Sequence, residues 1–172
     1  MTTTRTELLL RQLDIAWALF EYHLTDLDDA AFLWEPAPHC WTVRRAGDRW
    51  VADWADAEPD PVPAVTIAWV TWHIGYWWTT TLGHCFGSGA PDREEIAWPG
   101  SAAATAGWLR GLKDEWRSRL TGLSDADLDA PASLPWATDQ SLADVAGWVT
   151  VELTKNVAEV GLLHNLHGTR KA

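Results

Sequence analysis

The chain has 172 residues and carries 24 acidic against 13 basic side chains, a net charge of −11 that disfavours nucleic acid and anionic membrane surfaces as partners. Its length suits one domain over 1–172 with a full core, and its two cysteines, Cys40 and Cys85, are too few for a disulfide scaffold. No secretory pattern opens the sequence, so a reducing cytoplasm is the expected location.

Leu9, Leu13, Ala16, Trp17, Phe20 and Leu24 recur with the helical period, predicting a first helix over 4–24. His23 is read as an exposed residue favoured by the helix C-terminal dipole. Thr25 is read as the N-cap of a short turn, with Asp28 at the capping-box position. Pro36 and Pro38 then force extended backbone. Trp41–Arg44 and Trp50–Trp54 are expected to pair as a small hairpin across Arg45–Asp48, and Glu58–Pro63 to form a stiff linker. This proline-rich insertion over 34–63 is too small to bury a core of its own and is placed over one end of the bundle.

Val65–Phe86 predicts the second long helix and carries four of the fourteen tryptophans. At 100° per residue, Trp69, Tyr76, Trp77, Thr80 and His84 fall within about 60° of His73, on one aromatic face. So apolar a helix must be largely buried, yet His73, His84, five threonines and two glycines make it too polar for a membrane span. Gly87–Pro91 reads as a loop, and Ser101 as the N-cap of a third helix with Thr105, Leu109, Leu112, Trp116, Leu120 and Leu123 as its stripe. Ser124–Asp127 caps a short turn, Pro131–Asp139 is read as a connector, and Ser141 with Asp144 opens a last helix that runs to about His167. His84 is read as structural, and His164 with His167 as an exposed last turn. Four long amphipathic helices without a parallel-sheet pattern predict an all-α four-helix bundle.

Polar residues interrupt the last helix. Val145, Trp148 and Leu163 lie within about 40° of Glu152, which reads as the core stripe, yet Glu152, Asn156 and Glu159 occupy its middle at i, i+4 and i+7. Buried carboxylates must be paired, protonated or bound to a cation. Three readings stay open: a functional site, a structural hydrogen-bond cluster, or a polar line facing solvent with Val149, Leu153, Val157 and Val160 as the true stripe. Opposite this helix, His73 and Glu152 supply one imidazole and one carboxylate of the three protein ligands a catalytic Zn²⁺ or Ni²⁺ ion takes, with Asn156 a weak third.

Leu33-Trp-Glu-Pro-Ala-Pro-His-Cys-Trp-Thr-Val-Arg44, Thr66-Ile-Ala-Trp-Val-Thr-Trp-His-Ile74 and Ala158-Glu-Val-Gly-Leu-Leu163 together resemble the DinB/YfiT-like superfamily, in an actinobacterial style. The resemblance implies a four-helix bundle, often dimeric, with a divalent metal held by a second-helix histidine and two last-helix residues one turn apart. His73 matches the first ligand. Glu152 matches the Glu of the mycothiol-dependent maleylpyruvate isomerase branch, whereas Asn156 stands where a histidine is expected. Glu159 matches a Glu or Gln that orients a ligand or water. Relatives transfer low-molecular-weight thiols such as mycothiol or bacillithiol, or isomerise substrates through a thiol adduct.

The first expectation is therefore a homodimeric, metal-dependent thiol S-transferase or isomerase acting on a small molecule, with His73 and Glu152 catalytic. The second is a metal-free member in which the two form an acid–base pair or bind a ligand. The third is a non-catalytic dimeric bundle. In the first two, Trp69, Tyr76, Trp77 and Glu159 line the substrate pocket.

Overall fold

The computed structural model describes residues 3–87, 89–134 and 137–170. The chain runs through α1 (Arg5–Leu24), α2 (Asp29–Phe32), β1 (Cys40–Trp41), β2 (Val43–Ala46), β3 (Arg49–Ala52), β4 (Ala64–Val65) and α3 (Ile67–Phe86). There follow α4 (Ala102–Leu120), α5 (Asp125–Leu128), β5 (Pro131–Leu134), β6 (Ala137–Ser141) and α6 (Leu142–Thr169). The four long helices close a ring: α6 packs on both α1 and α3, α3 packs on α4, and α4 returns to α1. This is the expected four-helix bundle with a small β insertion between its first and second long helices.

Each long helix starts where a side chain satisfies its free N–H groups. Thr4 and Glu7 form a capping box on α1, Thr66 accepts from Trp69 N on α3, Ser101 accepts from Ala104 N on α4, and Ser141 with Asp144 boxes α6. Two cap assignments change. Thr25 closes α1 rather than opening a turn, and Asp28 is itself the N-cap of α2, accepting from Ala31 N.

From Ile67 to Gly75 every residue of α3 is buried, so this helix is the axis of the core. Its tryptophans also tether irregular backbone. Trp69 Nε1 donates to the Asp53 carbonyl at 2.7 Å and Trp72 Nε1 to the Ile96 carbonyl at 2.7 Å, so each indole is both core filling and staple. Gly75 makes room for α4: a Cβ there would meet the Trp108 ring at 1.9 Å.

The insertion is fastened at both ends by a short parallel pairing, Cys40 with Ala64 and Trp41 with Val65. Between them β2 and β3 form the expected antiparallel hairpin, Val43 to Ala52 through Ala46 to Arg49, turning at Gly47 with φ 64°. The connector expected over Pro131–Asp139 is instead a second antiparallel pair, β5 with β6. Its signal in the sequence is two alternating apolar residues, Ala132 and Leu134, which bury where β5 meets α3. Pro135 and Trp136 of that stretch, and Ser88 of the Gly87–Pro91 loop, lie outside the described residues.

Three histidines are placed differently from expectation. His23 is half-buried, its ring where a Cβ on Gly161 would stand at 2.7 Å. His167 is buried, with its ring 5.4 Å from that of Trp34. His84 is exposed at the end of α3.

Candidate functional site

The last helix resolves the open question about its polar line. Val149, Leu153, Val157 and Val160 are buried, as are Val145 and Leu163, so the apolar stripe is broad and Asn156 sits within it at 0% exposure. Glu152 and Glu159 are half-buried at its margin. Neither simple rotation of the helix holds: the amide is inside and the two carboxylates flank it.

Asn156 and Glu152 meet His73. The Asn156 Nδ2 lies 3.5 Å from His73 Nδ1, and Glu152 Oε1 lies 3.9 Å from the same nitrogen. On the other side of the ring, Trp77 Nε1 donates to His73 Nε2 at 2.8 Å, one helical turn along α3. Trp69, one turn back, stacks on the imidazole at 5.0 Å and 17°. The 3.6-residue period that places Trp69, His73 and Trp77 on one face thus sandwiches the histidine between two indoles.

These contacts fix the tautomer. An N–H donated to Nε2 requires a lone pair there, so the neutral ring carries its proton on Nδ1. Burial pushes the His73 pKa down to about 3, helped by the nearby Lys155 ammonium and opposed by the Asn156 contact. His73 is therefore a neutral donor at physiological pH, and the 3.9 Å approach of Glu152 is not an ion pair. Asn156 Nδ2 faces that nitrogen and leaves Oδ1 buried with no partner among the described residues; exchanging the amide's O and N would let Oδ1 accept the Nδ1–H hydrogen bond and satisfy both groups.

Glu152 has its own cation. Lys155 Nζ lies 2.5 Å from Glu152 Oε1, three residues along α6. This pairing decides whether the triad fits the divalent metal that the resemblance implies. One imidazole nitrogen is taken by Trp77, the carboxylate is neutralised by an ammonium, and the remaining donor is a neutral amide. Zinc and nickel sites take at least three protein donors of the imidazole, thiolate or carboxylate type. Among the described residues no group of three or more His, Cys, Asp or Glu side chains is gathered to hold an ion. The donor set does not fit a resident divalent metal.

His73 opens onto a cavity of about 470 Å³. The insertion supplies one side through Trp41, Trp54, Asp56 and Glu58, and the bundle supplies Trp69, Lys155 and Glu159. Trp69 and Glu159 are thus part of the lining. Tyr76 and Trp77 are not in this lining: Tyr76 stacks on Trp72 at 5.5 Å and 4°, and Trp77 acts on the back of the imidazole. Sequence reasoning missed Trp41, Trp54 and Lys155. Two of them belong to the insertion, and only the Trp69-to-Asp53 bond and the strand pairing show that it folds onto α3. Lys155 had a signal, since it lies three residues after Glu152 and within reach of its carboxylate.

Glu159 is raised above the usual carboxylate range by burial and by its neighbour Glu152, with Lys155 acting against them. Both cysteines lie outside the cavity lining, and burial raises each thiol to about 11. They are protonated at neutral pH and offer no resident thiolate.

A family model described as the DinB superfamily matches residues 12–160. No curated protein and no solved structure matches the chain. The chain belongs to the DinB superfamily.

Proposed function

We propose, from DinB-superfamily membership together with the geometry around His73, that the chain is a small-molecule-binding member of the family working without a bound metal. The observation that carries the reading is the Lys155 ammonium on Glu152, placed where a metal-binding member needs a free carboxylate. Cavity and polar groups divide the work. The indoles supply apolar walls, His73 faces the cavity as a neutral ring, and Glu159 offers a half-buried carboxyl whose pKa is raised by burial.

Within this reading His73 is a hydrogen-bond donor and not a general base, because Nε2 is occupied by Trp77 and the ring resists protonation. In a catalytic site Glu159 is the proton-transfer group and His73 is a neutral wall residue held by Trp77 and Asn156. Metal-dependent thiol transfer or isomerisation, implied by the family resemblance, has less support. It needs a cation to hold a thiolate from solution, and the ammonium in the lining, Lys155, is already paired with Glu152.

Two measurements on the purified protein test the proposal. Protein prepared without a metal-affinity column should carry far less than one equivalent of zinc or nickel per chain by elemental analysis. A nuclear magnetic resonance screen of mixed neutral, anionic and cationic fragments should then shift the His73 imidazole and Trp69 indole signals. Stoichiometric metal in the natural chain, or fragment hits confined to other surfaces, would overturn the reading. The double variant Lys155→Ala/Asn156→His should acquire metal binding, since it frees the carboxylate and restores a second imidazole.

A further inference from the structure

We infer that the occupant of this cavity is an organic cation, a quaternary or protonated amine seated against the indoles of Trp41, Trp54 and Trp69 and balanced by Glu159. The inference rests on the cavity being the ligand site, and goes further by naming the ligand's charge.

The walls are suited to a cation. Trp41 stands between the other two indoles, its ring centroid 6.4 Å from Trp54 at 13° and 5.3 Å from Trp69 at 31°. Indole faces carry negative potential and attract an ammonium group once water is displaced from it. The Trp54 ring already holds one cation, the Arg93 guanidinium 4.9 Å from its centroid. Lys155, also in the lining, directs its ammonium to Glu152.

The charges point the same way. Among the described residues Asp56, Glu58 and Glu159 line the cavity against the ammonium of Lys155, which pairs with Glu152, while the Arg93 guanidinium lies over the Trp54 ring. His73 contributes no charge when neutral. Glu159 is the telling residue, half-buried in the wall and taking no hydrogen bond or ion pair among the described residues. Burial penalises its charge and the field of Lys155 offsets that only in part, so a bound cation would stabilise it further. An anionic ligand would meet three carboxylates, and a neutral one would leave Glu159 as it stands. The chain's −11 charge adds a field that draws cations toward any open cleft. A trimethylammonium group fills only part of about 470 Å³, which leaves room for the rest of the ligand.

Calorimetric titration with choline and with its uncharged isostere 3,3-dimethylbutan-1-ol separates charge from shape. Choline should bind at least about tenfold more tightly than the isostere, since a desolvated cation–π contact supplies roughly 30-fold and an exposed one only about 2- to 5-fold. Glu159→Gln should weaken choline more than the isostere by removing charge, and Trp41→Leu should also weaken choline more than the isostere, because both probes lose apolar contact and only choline loses the cation–π contact. Both positions are half-buried, and unaltered circular dichroism would show that the variants fold. Equal binding of the two probes would overturn the cation assignment while leaving the small-molecule reading standing. No binding of choline to the natural chain would also overturn the assignment, and the mixed fragment screen then decides the wider reading on its own.

Discussion

At the scale of single residues, His73 ties stability to pH. The unfolded chain protonates it near 6.5, whereas the folded chain resists protonation to about 3. Between those values the unfolded state binds more protons, so stability falls as pH falls, by up to about 1.4 kcal/mol per pH unit from this group. Glu159 acts in the opposite sense. Its raised pKa means that its charging is penalised in the folded state, so its contribution is lost as pH rises above 4.5. Urea unfolding at a series of pH values should therefore show a shallower acid-side slope for His73→Gln than for the natural chain, most clearly in a Glu159→Gln background. An unchanged slope would mean that the imidazole is not held neutral. A second residue-level test removes one atom's contact: Trp77→Phe deletes the donor to Nε2 while keeping an aromatic ring. The His73 pKa should rise, and its proton should no longer be confined to Nδ1, both visible in imidazole nitrogen shifts.

The helical period alone made part of this site legible. Trp69, His73 and Trp77 share a face because they are four residues apart, and the buried amide of Asn156 broke an apolar stripe visibly. Periodicity did not show what each partner does. Tyr76 lies within the same angular window as Trp77, yet it stacks on Trp72 instead of entering the cavity. The angular window says which side of a helix a residue occupies and nothing about the neighbouring segment that claims it. That limit is why Trp41 and Trp54, brought in by the insertion, were invisible as cavity walls.

At the scale of elements, the contact between α3 and α4 depends on the absence of one methyl. Gly75→Ala would put a Cβ 1.9 Å from the Trp108 ring, and neither a helix backbone nor a large indole moves that far without loss. The expected destabilisation is about 1–3 kcal/mol by chemical unfolding. Gly75→Ala/Trp108→Leu should recover part of it, because leucine vacates the clashing ring atoms. Equal stability of Gly75→Ala and the natural chain would show that the two helices are farther apart. Helix starts were the most legible elements, since Ser141 and Asp144 declare a capping box by residue type and spacing, and the box forms. Ser141→Ala should cost about 1 kcal/mol, read from the same unfolding curves. The β5–β6 pair was hard to read for the opposite reason: in strands of four and five residues the alternation of Ala132 and Leu134 is too short to stand out from a connector.

At the scale of the whole molecule, α1 and α6 carry an outward apolar surface that their own packing does not cover. Leu8, Ile15, Leu19 and Tyr22 are exposed at i, i+7, i+11 and i+14 on α1, which is one face of that helix. Val151, Leu162 and Leu166 are exposed on α6, and a shallow groove between the helices is lined by Ile15, Leu19, Gly147 and Val151. Exposed apolar side chains gathered over two packed helices suit burial against another protein, and the homodimer implied by the family resemblance would place a second copy there. Light scattering should then give twice the 19.2 kDa chain mass, and Ile15→Glu/Val151→Glu should give one chain mass with the helical content unchanged. Salt supplies the sharper discrimination. Two copies each carrying −11 repel, so added salt should tighten a dimer held by these apolar residues, whereas one held by ion pairs would loosen. A natural chain that scatters as a monomer at high salt, where repulsion is screened and apolar burial favoured, would exclude this face as a self-association surface.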